Sequence, residues 1–553
     1  MSIKSPPPVL VVGAGPAGLV CALALRKNGI PVRIIEQSTV YHTGTRGAGI
    51  MPRSLELFQT LGVFDELQRR RGMVAPPMMM YELQDGKEVT RAMPSLMEKM
   101  DPDSSKPFTA MWFISQAILE EVLRDALQKY DCRVELGTSL VDVKQDSNGV
   151  ECTLSGPGGE RKLSVTASFL VGADGAKSTT REWMNASFQS QTTRDNGMLV
   201  GNVVVENLGC DRWHTWKRGN HLFSVRPYDE EHKKFVITVT GLSDQDGQEV
   251  TAEAFKSLFQ THTGRYDIAF GEFEWLSYFK PKMGLVDKMS EGRIFLAGDS
   301  AHVHPPHGGQ GLNTSVQDSF NLAWKLALVY QGRSTTSLLD SYNEERLPVI
   351  TEMLAQVTGL YNKSSTDGSA NRSAPARSKD LYMLGINYRK SNIVVDERSG
   401  THSSVETLQS SAYANNDEDV QAGDRAPECS GLRLDGEEQD TSLFGLLTPT
   451  KHTVLVFLGD DSDTVQKMLG VLRPYSVVVD VYLVAPKTTS DVSASIASYR
   501  TLLDEKGNAR TAYKVTTEPL GVVIRPDGII GAMVYTDEAL ARYFAAVFKS
   551  DQR

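Results

Sequence analysis

Cysteine is scarce in this chain and never paired. Cys21, Cys132, Cys152, Cys210 and Cys429 form no C-x-x-C and no close pair. That excludes a disulfide framework and a cysteine-based zinc site, and it suits a reducing compartment. No metal is expected. Long apolar runs are missing too. No stretch reaches the ~20 residues that span a bilayer, and the opening MSIKSPPPVL lacks the apolar core of a signal peptide. The expected location is the cytoplasm, with no membrane partner. A basic run is also absent: 58 Lys and Arg against 68 Asp and Glu leave a net charge of −10. Nucleic acid is therefore not an expected partner. The 553 residues show no internal repeat and suffice for two or three domains with sizeable cores.

What is present is concentrated in three segments. The first is VLVVGAGPAGLVCALALRKNG, from Val9. It reads as a short buried strand, a G-x-G-x-x-G turn at Gly13, Gly15 and Gly18, and a helix ended by Gly29. Gly13 allows the tight turn, Gly15 lets the backbone approach a pyrophosphate, and Gly18 lets helix and strand pack closely. A second strand, Val32–Ile35, ends at Glu36, followed by Gln37. An acid there can bind ribose hydroxyls. The second segment is FLVGADGAKSTTR, residues Phe169–Arg181. The third, GRIFLAGDSAHVHPPHGGQGLN, begins at Gly292. Its apolar strand runs into Gly298-Asp299, and a proline- and glycine-rich loop then leads to a helix. A carboxylate and a row of backbone N–H groups thus meet at one helix N-terminus, a place for a polar cofactor with an anion-forming ring.

GAGPAG with Glu36, the ADG segment and the GDSAHVHPPHGGQGLN segment together resemble the class A FAD-dependent aromatic hydroxylases, the single-component flavoprotein monooxygenases. The match covers roughly residues 9–360. The resemblance implies FAD extended along the fold, with its pyrophosphate at Gly13, Gly15, Pro16, Ala17 and Gly18 and its ribose on Glu36 and Gln37. Arg46 and Gly47 would lie near the pyrophosphate and ribityl chain, Gln116 and Asp299 by the ribityl hydroxyls, and Asp174 where FAD and NAD(P)H are both served. Gly309, Gly311, Leu312 and Asn313 would pass against the flavin ring. Backbone N–H groups and a helix start there favour the anionic reduced ring. A second G-x-G-x-x-G is missing, so NADPH or NADH would bind transiently in a shared cleft. The implied reaction uses O2, through a flavin C4a-hydroperoxide, to hydroxylate a small phenolic or quinol-like aromatic. Decarboxylation can accompany it where the attacked carbon bears a carboxyl. The alternative is a flavin oxidoreductase that inserts no oxygen.

The fold expected is α/β. A discontinuous Rossmann-like FAD-binding domain would span 1–184 and 281–361, interrupted by a mostly antiparallel β-sheet substrate domain at 185–280. A Ser-, Asn- and Asp-rich linker is expected at 362–420, within which LYMLGINY (381–388) can fold back on the main domain. The 421–553 portion resembles the thioredoxin-like extension of the phenol hydroxylase-like subgroup, without C-x-x-C, and reads as a packing or dimerisation module. A homodimer is expected by resemblance alone.

Two departures from the family concern the catalytic base. Ala48 stands where an acid is common, and Gly284 stands where an arginine is common. Activating groups are therefore sought elsewhere. His307, before the Gly-Gly-Gln turn, and His214 and Tyr228, in the middle domain, are the catalytic candidates. His221 and Arg226 are further polar candidates, with Trp213 and Trp216 as aromatic walls. His302 and His304 are expected to structure their loop.

Overall fold

The computed structural model describes all residues except 1–5, 46, 71, 82–85, 94–96, 160–161, 193–196, 243–249, 306–307, 367–377, 399–410, 414–418, 487–497 and 550–553. Its first layer is a six-stranded sheet. The strand order is Ser290–Glu291, Ile294–Leu296, Phe169–Gly172, Val9–Val12, Val32–Glu36, Val134–Leu136. All neighbours are parallel except the first pair. Val9–Val12 is buried throughout, as a central parallel strand covered on both faces must be. The helix Pro16–Lys27 links the two central strands and packs against the long helix Gly311–Tyr330. The three sequence segments thereby converge from distant positions in the chain.

A seven-stranded sheet forms the second layer, in the order Ala269–Phe279, Gly197–Glu206, Lys234–Leu242, His221–Asp229, Trp213–Arg218, Met78–Tyr81, Val89–Met93. Alternation gives it two faces. Leu199, Val203, Val225 and Ile237 pack with Phe255 and Phe259 of the helix Ala252–Thr263. Met198, Val200, Tyr228 and Val236 instead meet Ala48 of the nucleotide-binding part. The sheet is larger than the expected 185–280 insert. Met78–Tyr81 joins it in parallel to Trp213–Trp216, a long-range pairing that leaves no local signal.

The third layer is an eight-stranded mixed sheet running from Val395–Asp396 through Ile530–Val534, Leu520–Ile524, His452–Phe457, Val479–Ala485, Arg500–Leu503 and Ser430–Leu434 to Asp440–Ser442. The helices Ser462–Leu472 and Asp537–Val547 cover one face, and their core takes in Trp324, Leu328 and Leu338 of the nucleotide-binding part. The expected 362–420 linker departs from its composition. Within it, Leu381–Leu384, Ile386 and Tyr388 are buried in the same core as the first sheet, and Val395–Asp396 edges the third. Its apolar residues outweigh the polar ones flanking them. Among the described residues, no helix is long and apolar enough to cross a membrane, and no cluster of three metal-ligating side chains occurs.

Candidate active site

The GDS turn is where the three segments touch. Gly298 has φ +68°, and a Cβ there would lie 2.8 Å from Ser315 Oγ and 3.2 Å from the Ala17 methyl. Ser319 Oγ donates to the Ala17 carbonyl at 2.8 Å. Ser300 Oγ donates to the Gly172 carbonyl at 2.7 Å, and Arg181 donates to the Ser300 carbonyl at 2.9 Å. The first helix, the ADG loop and the GDS turn are thus stitched together.

The residues at this junction fit FAD. Gly13 (φ +102°) and Gly18 are glycines for packing, since a Cβ would lie 2.2 Å from the Ala173 carbonyl oxygen or 1.9 Å from that of Gly13. Gly15 differs: its Cβ would have no neighbour within 4 Å, so its backbone faces the cleft at the N-terminus of the helix beginning at Pro16. That terminus carries Ala17 and suits a pyrophosphate. Glu36 accepts from Ala14 N–H at 3.0 Å and from Ser38 N–H at 2.9 Å, which sets its carboxylate beside the turn. Gln37 follows it, exposed. Asp299 is exposed between buried Gly298 and Ser300, just after the buried strand Ile294–Leu296 of the same sheet.

Where the flavin ring is expected, two backbones lie together. A Cβ on Gly47 would lie 3.8 Å from the Leu312 side chain, and one on Gly309 would lie 3.1 Å from the Met51 methyl. Asn313 joins them: its amide donates to the Gly49 and Gly309 carbonyls and its oxygen accepts from Met51 N–H at 2.8 Å. Asn313 is therefore the brace of this cradle, a role the motif alone does not reveal. Gly311 starts the long helix beside the His304 ring. Asp174 and Gln116 spend their groups locally. Asp174 accepts from Ser178, Thr179 and Thr180, capping the helix Thr179–Trp183. Gln116 donates to Glu120 one helical turn on. Arg46 and His307 lie outside the described residues.

The substrate-side candidates separate. His214 is buried, with its ring nitrogens at 2.7 Å from Tyr81 Oη and 2.8 Å from the Gly209 carbonyl, and stacked on Tyr81 and Trp216. These contacts mark it as structural. Tyr228 faces the nucleotide-binding part. Its hydroxyl donates to Glu274 at 3.0 Å and accepts from Asn202 at 3.3 Å, and Asn202 also binds Thr45. Burial, with Glu274 adding to it, raises the Tyr228 hydroxyl well above its ordinary pKa. Ala48 packs in the same cluster as Tyr228. At Gly284 a Cβ would lie 2.5 Å from the Phe188 ring, and the Arg181 guanidinium lies over that ring at 4.1 Å. Phe188 thus occupies the space an arginine at 284 would need. Asn202 lies in no motif, and Thr45, beside Arg46 in the TRGAGI segment, has no role there that the sequence reveals.

Burial lowers His214 to about 4 and His452 to about 3, from an ordinary 6.5. Both stay neutral in the folded state while the unfolded chain takes up protons below pH 6.5. Stability present above that pH is therefore lost as pH falls through 6.5 toward 4, at ~1.4 kcal/mol per unit for each ring. The thermal midpoint is expected to drop between pH 6.5 and about pH 5, measurable by calorimetry in matched ionic strength.

Known proteins share this arrangement. The family model described as FAD binding domain matches residues 7–357. A flavin-dependent monooxygenase of Mycobacteroides abscessus is 32% identical over 98% of this chain and 99% of its own length. Pentachlorophenol 4-monooxygenase of Sphingobium chlorophenolicum is 26% identical over 96% of this chain and 94% of its own. In structure, aklavinone-11 hydroxylase in complex with FAD and aklavinone aligns with a TM-score of 0.79 at 24% identity, covering 98% of this chain and 99% of the other. The glycine turn, Glu36 and Asp299 all lie at or just after the carboxyl ends of strands of one sheet, and the family model and the Mycobacteroides abscessus relative place the chain among the class A FAD-dependent monooxygenases, as an enzyme whose cofactor is FAD.

Proposed function

We propose that this enzyme uses NAD(P)H and O2 to hydroxylate a small phenolic or quinol-like aromatic, with decarboxylation where the reacting carbon carries a carboxyl. The observation that carries this reading is the sheet face that packs on Ala48, next to the Gly47–Leu312 approach. It is apolar at Met198, Val200 and Val236, with Trp275 and Phe279 beside it, and polar at Asn202 and Tyr228. A flat apolar ring with one hydroxyl suits such a face. The likeness to pentachlorophenol 4-monooxygenase along nearly the whole chain supports a phenol-type substrate. Bound FAD supplies the hydride acceptor and the oxygen-activating centre. The chain's own share is to hold and shield it. Gly13–Gly18 and Glu36 would hold the pyrophosphate and ribose, Asp299 the ribityl hydroxyls, and the cradle braced by Asn313 the ring. The sheet face excludes water, which would otherwise divert the reaction to peroxide.

The same reading gives the middle sheet the role of substrate domain and the 421–553 portion that of a thioredoxin-like, phenol hydroxylase-type extension without redox activity. It also includes a homodimer and O2 as partners. The test is NAD(P)H oxidation by FAD-loaded protein across phenols, hydroxybenzoates and quinols, with H2O2 quantified. One compound is expected to speed oxidation with little peroxide and to gain one oxygen atom. Peroxide equal to the NAD(P)H consumed, with every compound, would replace this reading with an oxidase. For that substrate, Tyr228→Phe is expected to lower product per NAD(P)H severalfold while FAD stays bound, because it removes a polar contact from the face and little of its shape.

A further inference from the structure

We infer that Asp318 is a positioning residue for the cofactor turn and that Tyr388, from the segment entering the C-terminal sheet, holds it in place. The inference rests on the FAD site described above. Asp318 is wholly buried and lies on the helix Gly311–Tyr330 that follows the third segment. One of its oxygens accepts from Gly298 N–H at 3.0 Å and lies 2.7 Å from His302 Nε2. These anchors flank Asp299 on both sides in the chain. The other oxygen accepts from Arg346 Nε at 2.8 Å. Arg346, also wholly buried, donates onward to Tyr388 Oη at 2.9 Å and to the Thr314 carbonyl at 3.4 Å. Tyr388 is fixed in turn. Its backbone N–H donates to the Gly423 carbonyl at 2.8 Å, and the Arg525 guanidinium lies over its ring at 5.4 Å.

A buried ion pair of this kind adds little net stability over apolar residues of the same shape, because desolvation offsets the attraction. What it supplies is a fixed geometry. Burial pushes the Asp318 carboxyl up, but Arg346 and His302 outweigh that and hold it below the usual range. The carboxylate therefore stays charged and keeps its donors. The turn needs such a hold, since Gly298 is in a left-handed conformation and Asp299 is exposed beside it. If Asp318 releases the turn, only a fraction of molecules present Asp299 correctly, and the apparent dissociation constant for FAD rises as the inverse of that fraction. Tyr388 acts one step further back, through Arg346, so a residue outside the cofactor cleft controls cofactor affinity.

The test strips FAD from the protein and titrates it back, following flavin fluorescence, for the wild type, Asp318→Asn, Tyr388→Phe and Tyr543→Phe. The last is a control, a buried tyrosine of the C-terminal sheet layer whose hydroxyl has no hydrogen-bond partner among the described residues. Asp318→Asn is expected to raise the dissociation constant about tenfold and Tyr388→Phe about threefold, with Tyr543→Phe matching the wild type. Unchanged FAD affinity in the folded fraction of Tyr388→Phe, alongside a lowered melting temperature, would overturn the inference. So would an equal rise in Tyr543→Phe, which marks general loosening. Should Asp318→Asn fail to fold, Tyr388→Phe and Arg346→Lys decide by the same readout. Wild-type protein that takes up no FAD would instead refute the cofactor site itself, a result separate from both.

Discussion

Replacing Gly15 by valine is expected to give a folded protein that no longer holds FAD. The backbone there is ordinary, with φ −75° and ψ −177°, so valine adopts it without strain. Its first side-chain carbon would meet nothing within 4 Å, so the apoprotein keeps its packing. The added methyls would stand at the N-cap of the helix Pro16–Lys27, where the proposed site would have the pyrophosphate approach backbone N–H groups. Losing that approach is expected to weaken FAD binding at least ~100-fold, about 2.7 kcal/mol. The neighbouring glycines should behave oppositely. Gly13→Val forces a side chain at φ +102° onto the Ala173 carbonyl, and Gly18→Val drives one into Gly13. Both are expected to lose soluble protein. FAD titration of the apoproteins, with their melting temperatures, separates the two classes. Wild-type affinity in Gly15→Val would mean that the pyrophosphate lies elsewhere.

That contrast also shows what a sequence can reveal. The glycine turn, Glu36 and the GDS segment are legible because each is a local solution to a local problem: a tight turn, a strand-end acid, a helix start. The alternating strands of the middle sheet and the apolar strands of the C-terminal portion are legible for the same reason. What stays hidden depends on partners far apart in the chain. Met78–Tyr81 reads as a methionine-rich stretch until it pairs with Trp213–Trp216. Leu381–Tyr388 sits among polar neighbours in the chain and fills the main core, as its own apolar residues suggest against the composition around it. From sequence, His214 can face substrate or core, and its bonds to Tyr81 and Gly209 are visible only in the structure. Gly284 and Ala48 stand out as departures from the family, but that Phe188 and Tyr228 occupy those surroundings is a fact of packing. Motif marks Asp174 and Asn313. Their observed work, capping one helix and bracing two loops, is visible only as hydrogen bonds.

Arg525→Met is expected to be the most destabilising single change in the C-terminal portion. Arg525 donates to both oxygens of Glu345, at 2.7 and 2.8 Å, and also to Asp527. All three are almost wholly buried. Lys325 and Asn321 of the long helix share the same Glu345, and Trp324 donates to Asp527 at 3.2 Å. Burial alone would raise the Glu345 carboxyl, but Arg525 and Lys325 beside it hold it far below the usual range. Removing the arginine leaves two carboxylates with one nearby lysine, which costs ~3–5 kcal/mol against a typical total of ~5–15 kcal/mol. The loss falls on one seam, since the same helix supplies Trp324 and Leu328 to the C-terminal core. The variant is expected to expose that seam, raising binding of a hydrophobic dye and protease cleavage after residue 420 before the FAD-binding part unfolds. A pH scan adds a sign. The folded-state pKa of Glu345 is depressed, so its contribution is present above the ordinary carboxylate range and lost as pH falls through and below it. Wild-type protein should therefore shed the C-terminal portion in acid, whereas Arg525→Met should already behave so near neutrality. A variant that unfolds in one step at the wild-type denaturant midpoint would show that apolar packing, and not this ion cluster, joins the two parts.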